Sequence, residues 1–151
     1  MVKKKTFKFP KRKVYDRIPA RIPKLTKDIE GLTGFVRGFT ASDIEERFAR
    51  ALIRMEIGFW FQYKLKTATS LPDQERKVDF IVFHRPGKTV PVEIYGDRWH
   101  STEADRNMDR ARAIEIDKEG KKNDWEKLLV AWGHELTDQH AADQIARRMF
   151  L

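Results

Sequence analysis

The amino-acid sequence predicts one α/β domain with a mixed central β-sheet flanked by helices, preceded by a basic extended arm. Three observations lead to this prediction. Apolar residues recur at helical spacing after Ser42, short β-rich segments run from Phe59 to Tyr95, and a charged helical stretch then precedes a last apolar segment at 127–132. The elements therefore follow the order αβββαβα, in which an antiparallel meander is extended by a strand that a helical crossover adds.

The first helix is predicted from its capping residues and its apolar face. Ser42-Asp43-Ile44-Glu45 matches a capping box, with Ser42 at the N-cap and Glu45 three residues later. Gly58 ends the helical pattern. We expect residues 29–41, which contain three glycines, to form a loop.

Three strands and a polar connection are predicted next. In Phe59–Leu65 the alternation puts Phe59, Phe61, Tyr63 and Leu65 on one face and Trp60, Gln62 and Lys64 on the other. Residues 66–76 form the connection. The segments Val78–Phe83 and Thr89–Tyr95 are rich in Val, Ile and Phe and are separated by a loop that contains Pro86-Gly87.

The C-terminal part is predicted to hold two helices and one strand. A charged helix covers 101–117 and starts between Ser101 and Arg106, and a polar loop follows at Lys118–Asp124. Lys127–Trp132 is a short buried strand ended by Gly133. Ala141–Phe150 closes the chain as a helix.

Charge divides the chain into an arm and a body. Residues 1–28 hold eleven of the 31 Lys/Arg residues but only two of the 23 acids, so the remaining residues carry a net charge of −1. Three prolines and the lack of periodicity argue against a regular element in the arm. We therefore divide the chain into a basic arm and Gly-containing loop at 1–41 and a domain at 42–151.

Composition excludes several classes of function. The chain has no cysteine, which rules out a disulfide scaffold, a thiolate metal site and a cysteine nucleophile. No apolar run is long enough for a membrane span or a signal sequence. We therefore expect a soluble, cytoplasmic protein with no membrane partner.

Two acids in the apolar segments are the main functional signal. Asp79 and Glu93 lie in the two strands that flank Pro86-Gly87, and a carboxylate at a half-buried strand position needs a partner. If the turn is centred on Pro86, the residue numbers of opposed pairs sum to 172, so Asp79 faces Glu93 with Cβ atoms roughly 5 Å apart. A register shift of one residue would instead put them on opposite faces.

Opposed carboxylates suit a divalent cation. Like charges at this spacing destabilise the hairpin unless a positive charge lies between them, and oxygen ligands favour Mg²⁺, with Mn²⁺ as the alternative. The simpler alternative is that each acid forms an ion pair with a neighbouring Arg or Lys.

The chain resembles the PD-(D/E)XK nuclease superfamily, and within it the small very-short-patch-repair-type endonucleases. The resemblance runs from about Ser42 to Phe150. It depends on Glu45-x-x-Phe48-x-x-x-Leu52, Val78-Asp79-Phe80, Val92-Glu93-Ile94-Tyr95-Gly96-Asp97-x-Trp99-His100 and Asp109-x-x-Arg112. It implies a restriction-endonuclease-like core and Mg²⁺-dependent hydrolysis of DNA that leaves 5′-phosphate products.

The resemblance also implies roles for individual residues. Asp79, Glu93 and the Ile94 carbonyl would be metal ligands. Glu45 would complete the site directly or through water, with Glu46 as the neighbouring alternative. His100 would act on the scissile phosphate or the leaving oxygen, and Asp109 and Arg112 would orient the loop that carries His100.

One position departs from the superfamily pattern. The superfamily places a lysine two residues after the second acid, where this chain has Tyr95. The Tyr95 hydroxyl can donate a hydrogen bond but carries no positive charge at neutral pH. Lys64, or Gln62 beside it, is the candidate to supply the missing function from the neighbouring strand.

Nucleic acid, most directly DNA, is the expected partner. Basic arms with scattered aromatic residues commonly hold phosphate backbones. The residues that we expect to contact phosphates are Lys3, Lys4, Lys5, Lys8, Lys11, Arg12, Lys13, Arg17, Lys64 and Arg98. Two other functions remain open: a catalytically inactive nuclease-fold protein that binds nucleic acid or assembles through its arm, and a subunit whose arm enters a protein partner.

Overall fold

The computed structural model describes residues 31–96 and 102–151, and it shows a mixed α/β domain. A small hairpin of β1 (Phe35–Val36) and β2 (Phe39–Thr40) precedes α1 (Asp43–Arg54). The strands β3 (Gly58–Lys64), β4 (Lys77–Arg85) and β5 (Lys88–Tyr95) follow. The chain continues with α2 (Glu103–Asn123), β6 (Leu129–Trp132) and α3 (Gln139–Phe150).

The main sheet has four strands in the order β3-β4-β5-β6. The pairs β3–β4 and β4–β5 are antiparallel, whereas β5 and β6 are parallel. A parallel pair requires a crossover, and α2 provides it. The predicted order αβββαβα and the mixed sheet are therefore present in the described residues.

Helices cover both faces of this sheet. On one face, α1 and α3 pack on a core that includes Phe48, Phe80, Val92 and Phe150. On the other face, α2 contributes Ile116 to a second core with Ile81 and other apolar residues. Val90, Val92 and Ile94 of β5 belong to the first core, whereas Glu93, on the opposite side of the strand, contacts Arg112 of α2.

The first helix begins as the sequence predicts. Ser42 is the N-cap of α1, and both hydrogen bonds of its capping box with Glu45 are present. The helix ends at Arg54 rather than at Gly58, which is the first residue of β3. Glu45 therefore lies in the first turn of α1, where it forms the capping box with Ser42.

The register of the acidic hairpin agrees with the prediction. Phe80 pairs with Val92 and Phe83 with Thr89, so the residue numbers sum to 172. The turn itself is shorter than predicted, because the strands reach Arg85 and Lys88 and leave only Pro86-Gly87 between them. An irregularity between Phe83 and Arg85 absorbs the extra residue.

Two loop predictions are wrong. Residues 29–41 were expected to be a loop, but within them the glycines at 34 and 38, both with positive φ, allow the β1–β2 hairpin. The polar segment Lys118–Asp124 belongs mostly to α2, which continues to Asn123 and is capped by Asp124 in the left-handed conformation. The three lysines of this segment are exposed while Glu119 and Gly120 are buried, so polarity did not indicate a loop there.

The predicted alternation in β3 fails at Gln62. Gln62 has a φ of 56°, which interrupts the strand. Phe59 and Phe61 enter the core beneath α1, but Leu65 enters the core beneath α2 and Tyr63 packs against that second core. Trp60 and Tyr63, predicted on opposite faces, stack on each other with ring planes 7° apart.

No helix in residues 31–96 and 102–151 combines the length and apolarity that a membrane span requires.

Candidate functional site

Asp79 and Glu93 meet at the open end of the β4–β5 hairpin. Extending the observed register by one pair beyond Phe80 and Val92 puts the two acids opposite each other. Their side chains interact directly, because the two carboxyl groups share a hydrogen bond. The Oδ2 atom of Asp79 also accepts the backbone N–H of Ile94 at 2.8 Å, which fixes that carboxylate across the strand pair.

Glu93 is a buried acid with incomplete hydrogen bonding. It is 1% exposed, and its Oε1 atom has no hydrogen-bond partner among the described residues. Burial raises the pKa of Glu93 well above its usual range, the charge of Asp79 raises it further, and Arg112 opposes the shift. Burial and the neighbouring charge of Asp79 therefore both favour the protonated form of Glu93 over its carboxylate.

Glu45 approaches the pair from the first turn of α1. Burial raises the pKa of Glu45 from 4.5 to about 7, and the nearby charge of Asp79 contributes to this shift, whereas hydrogen bonds from Ser42 lower it. The structure thus brings Glu45 into the electrostatic field of the hairpin acids while it still serves in the capping box. Glu46, the alternative in the sequence, points elsewhere: it is 3% exposed and accepts the backbone N–H groups of Thr33 and Gly34.

Arg112 enters the site from α2. Its Nη2 atom lies 3.3 Å from Oε2 of Glu93 and 3.4 Å from Oδ1 of Asp109, and its Nη1 atom lies 3.2 Å from Oε2 of Glu75. Burial alone would lower the pKa of Arg112, but the carboxylates of Glu93 and Asp79 raise it. Arg112 is therefore the fixed positive charge of this cluster.

Arg112 contacts Glu93, a neighbour that the sequence did not predict for it. The resemblance implied that Arg112 and Asp109 orient the loop that carries His100, which lies outside the described residues. Within the residues that the structure describes, Asp109 pairs with the same guanidinium that contacts the second acid. The sequence carried one signal of this arrangement, the spacing of three residues between Asp109 and Arg112 on one helix, but not the neighbour that they share.

Tyr95, which the resemblance aligns with a lysine, is 8% exposed. Burial and the charge of Glu93 raise the pKa of Tyr95 to about 12, and Arg112 hydrogen-bonds its side chain. The phenol is therefore neutral at pH 7. Its ring contacts Trp132 of β6 edge-on, with centroids 5.2 Å apart.

The other two candidates for the lysine function lie on β3. Gln62 occupies the position across from Asp79, where the β3–β4 pairing is interrupted. Lys64 is exposed at the end of the strand and pairs with Lys77 in the backbone register. Among the described residues, Lys64 makes no ion pair with Asp79 or Glu93, whereas Arg112 does contact Glu93.

The donor set can be compared with what Mg²⁺ uses in proteins. No group of three or more His, Asp or Glu side chains that could hold a metal ion is found in residues 31–96 and 102–151. Mg²⁺ commonly binds through one or two carboxylates, with water and substrate phosphate completing its coordination. The two carboxyl groups of Asp79 and Glu93, one with an unpartnered buried oxygen, fit that requirement.

Several predicted site residues cannot be located. His100, Arg98 and the arm residues Lys3, Lys4, Lys5, Lys8, Lys11, Arg12, Lys13 and Arg17 lie outside the described residues. Ile94, whose carbonyl was a predicted ligand, is described and forms part of the parallel pairing of β5 with β6. Comparison of the chain with protein-family models, curated proteins and solved structures found no match.

Proposed function

We propose that this protein is a divalent-metal-dependent DNA endonuclease with a restriction-endonuclease-like core of the PD-(D/E)XK type. The observation that carries the proposal is the pair Asp79–Glu93, in which two carboxyl groups are held in contact and one of them is 1% exposed. A buried acid with an unpartnered oxygen lowers the stability of the fold. Perturbed acids of this kind cluster at functional sites.

The pair Asp79–Glu93 would hold Mg²⁺ or Mn²⁺, with Glu45 and the Ile94 carbonyl as further donors. A bound divalent ion supplies charge neutralisation at the phosphate and lowers the pKa of water. Because the raised pKa of Glu93 favours its protonated form and a metal ligand must be ionised, binding of the cation is expected to release protons.

The surrounding side chains have roles that follow from their positions. Glu45, with a pKa of about 7, is suited to accept a proton from the attacking water at neutral pH. Arg112 is suited to neutralise charge on a phosphate oxygen, which is the function of the missing superfamily lysine. Tyr95 contributes a neutral hydroxyl that holds Arg112 in position.

The basic arm would supply sequence-independent affinity for DNA. Its net charge differs from that of the nearly neutral domain, and phosphate contacts of this kind weaken steeply with salt. The start of the described chain contacts α1, since Arg50 donates to the Gly31 carbonyl at 2.6 Å and Glu46 accepts the Thr33 N–H.

A cleavage assay with a matched acid control tests this proposal. Labelled duplex, branched and single-stranded DNA are incubated with Mg²⁺, Mn²⁺ or EDTA, and the wild type is compared with Glu93→Gln and Glu119→Gln. Glu119 is also 1% exposed but binds the backbone of Thr67, away from the acid pair. We expect metal-dependent cleavage that Glu93→Gln abolishes and Glu119→Gln retains per folded molecule. Equal cleavage by wild type and Glu93→Gln contradicts the proposal.

A second candidate function is an inactive nuclease-fold protein that binds nucleic acid or assembles through its arm. The contact of Arg112 with Glu93 favours it, because an ion pair already compensates part of the acid charge. It predicts tight binding of DNA or RNA in EDTA, no cleavage with any divalent ion and no proton release on addition of Mg²⁺. Calorimetry in two buffers of different ionisation enthalpy measures that release.

A further inference from the structure

An open groove of about 350 Å³ lies along β3, on the side of the sheet away from β5 and β6. It is lined by the aromatic residues Phe39, Trp60 and Tyr63, and by Arg37 and Lys64 among others. Edge strands usually carry charges or prolines that prevent association. Here the edge strand instead presents aromatic rings, which indicates a binding surface.

The rings of this groove are held in fixed orientations. Trp60 lies parallel to Tyr63 with centroids 5.4 Å apart, and its edge contacts Phe83. Tyr63 is supported in turn by Trp125, and Phe39 packs edge-on against Phe61. Trp60 remains 37% exposed and Phe39 51% exposed, so both offer ring surface to a ligand.

The backbone at Gln62 creates this arrangement. A φ of 56° is rare for a residue with a side chain and interrupts the alternation of β3. As a result Trp60 and Tyr63, three residues apart, share one face. Unusual backbone of this kind is found preferentially at functional sites.

Charge favours an anionic ligand. Arg37 and Lys64 line the groove, and none of the described residues that line it is acidic. The Arg37 guanidinium lies 3.9 Å from the centre of the Phe59 ring and donates to the Phe59 carbonyl, so it is held in place. A protein partner with an apolar face would not need these cations.

The groove also adjoins the candidate site. Phe61 pairs with Phe80 and Tyr63 with Val78, so Gln62 in the groove is the β3 position beside Asp79. A polymer that occupies the groove would therefore have its backbone near the acid pair.

We propose that this groove binds unpaired nucleotides of a DNA strand, with bases stacked on Trp60 and Phe39 and phosphates near Arg37 and Lys64. Aromatic platforms bordered by cations bind single strands in this way, because every base offers a face for stacking. The proposal rests on the proposed function, in which DNA is the substrate, and it specifies that the strand is unpaired where it meets the domain.

Binding measurements on the full chain in EDTA test the groove separately from cleavage. The probes are a labelled twelve-nucleotide oligothymidylate and a duplex of the same length, at a salt concentration high enough to weaken the arm. The variants are Trp60→Leu and Phe39→Ala, with Phe35→Ala as the matched control. Phe35 belongs to the same hairpin and is 55% exposed, but it does not line the groove.

We expect Trp60→Leu and Phe39→Ala each to weaken binding of the single strand roughly tenfold and to leave duplex binding unchanged. Phe35→Ala should change single-strand binding less than twofold. Unchanged single-strand binding in Trp60→Leu and Phe39→Ala overturns the proposal, as does an equal loss for the duplex. If the protein is a dimer that Trp60→Leu dissociates while oligonucleotide binding is unchanged, the groove binds a second copy of the chain. That result also overturns the proposal.

The two proposals fail in distinguishable ways. If no DNA is cleaved but the Trp60 and Phe39 variants lose single-strand affinity, the nuclease function is wrong and the groove remains. The opposite result is that Glu93→Gln abolishes cleavage, whereas Trp60→Leu and Phe39→Ala cleave every substrate and bind the single strand as the wild type does. In that case the groove assignment is wrong and the nuclease function remains.

Discussion

At the scale of single residues, the opposed acids lower the stability of the fold by their repulsion and provide the proposed ligands for a divalent cation. Asp79 and Glu93 repel each other when both are ionised, and the environment of Glu93 disfavours its charge. Groups that reduce stability in the absence of a ligand are typical of functional sites. Removing one charge should therefore separate stability from activity.

Asp79→Asn is expected to stabilise the metal-free protein by roughly 1 kcal/mol at pH 8, because it removes a like charge while its amide oxygen can still accept the Ile94 N–H. The same change should abolish the rise in melting temperature that millimolar Mg²⁺ gives the wild type. Thermal unfolding with EDTA and with Mg²⁺ measures both effects. A variant that is less stable than the wild type in EDTA and equally stabilised by Mg²⁺ contradicts this reasoning. Asp73→Asn, at an acid that is paired with Arg76, serves as the control.

Glu45 makes stability depend on pH. Its pKa is about 7 in the folded chain against an ordinary value of 4.5, because of burial and the charge of Asp79. The folded state keeps the proton that the unfolded chain loses, so this contribution to stability is complete below about pH 4.5 and is lost as the pH rises to about 7. Glu93 shifts stability in the same direction, and Arg112 opposes it through Glu93.

Glu45→Gln should therefore weaken the decline in stability between about pH 5 and pH 7, since glutamine does not titrate and can keep the capping box. Urea unfolding at several pH values in EDTA, for wild type and variant, measures the difference. Parallel stability curves for the two proteins would show that Glu45 titrates normally. Glu103→Gln, at an exposed acid in the first turn of α2, should leave the curve of the wild type unchanged.

At the scale of elements, the length of α2 depends on tertiary packing as well as on local sequence. Its last turns were predicted to be a polar loop, yet Ile116 and Glu119 are both 1% exposed and hold it against the sheet. Glu119 binds the backbone of Lys66 and Thr67, so the end of α2 also fixes the connection after β3. The helix ends only where Asp124 adopts a φ of 58°.

Asp124→Gly should stabilise the protein by about 1 kcal/mol, because glycine adopts this left-handed conformation without the penalty of a side chain. The same substitution at Asp117, within α2, should destabilise by a similar amount, since glycine weakens a helix interior and the contact with Lys121 at 3.1 Å is lost. Chemical denaturation of both variants provides the comparison. Destabilisation by Asp124→Gly would mean that its side chain makes a contact that outweighs the backbone gain.

At the scale of the whole molecule, charge and function are divided between two regions. The first 28 residues hold an excess of positive charge, while the rest of the chain carries a net charge of −1. The domain anchors the start of its described chain at α1 through Glu46 and Arg50. The excess positive charge and the acid pair therefore lie in different parts of the sequence, which suits a division between affinity and chemistry.

A triple variant with glutamine in place of Lys3, Lys4 and Lys5 should bind duplex DNA more weakly and with less dependence on salt. The slope of log K against log salt should become less negative by up to about 0.9 for each lysine that contacts a phosphate. The control replaces Lys118, Lys121 and Lys122 of α2, two of which already pair with acids. Fluorescence anisotropy at several salt concentrations measures the slopes. Equal losses for the two triple variants would mean that affinity follows net charge and not the arm.

Much of the fold could be predicted from local patterns. The capping box set the start of α1, and the alternation of apolar residues together with the Pro-Gly turn determined the register that opposes Asp79 and Glu93. These features depend on neighbours within a few residues, so periodicity and turn chemistry are sufficient to find them. The charge difference between arm and domain is likewise a property of the sequence alone.

Tertiary structure decided the features that depend on distant residues. Arg112 meets Glu93 because α2 crosses the sheet on the face toward which Glu93 points, and no local pattern specifies that neighbour. The groove forms because Gln62 leaves the regular strand conformation and because the β1–β2 hairpin brings Phe39 beside Phe61. Burial and long-range packing, which a periodicity cannot report, therefore determined which side chains surround the two acids that the sequence had already indicated.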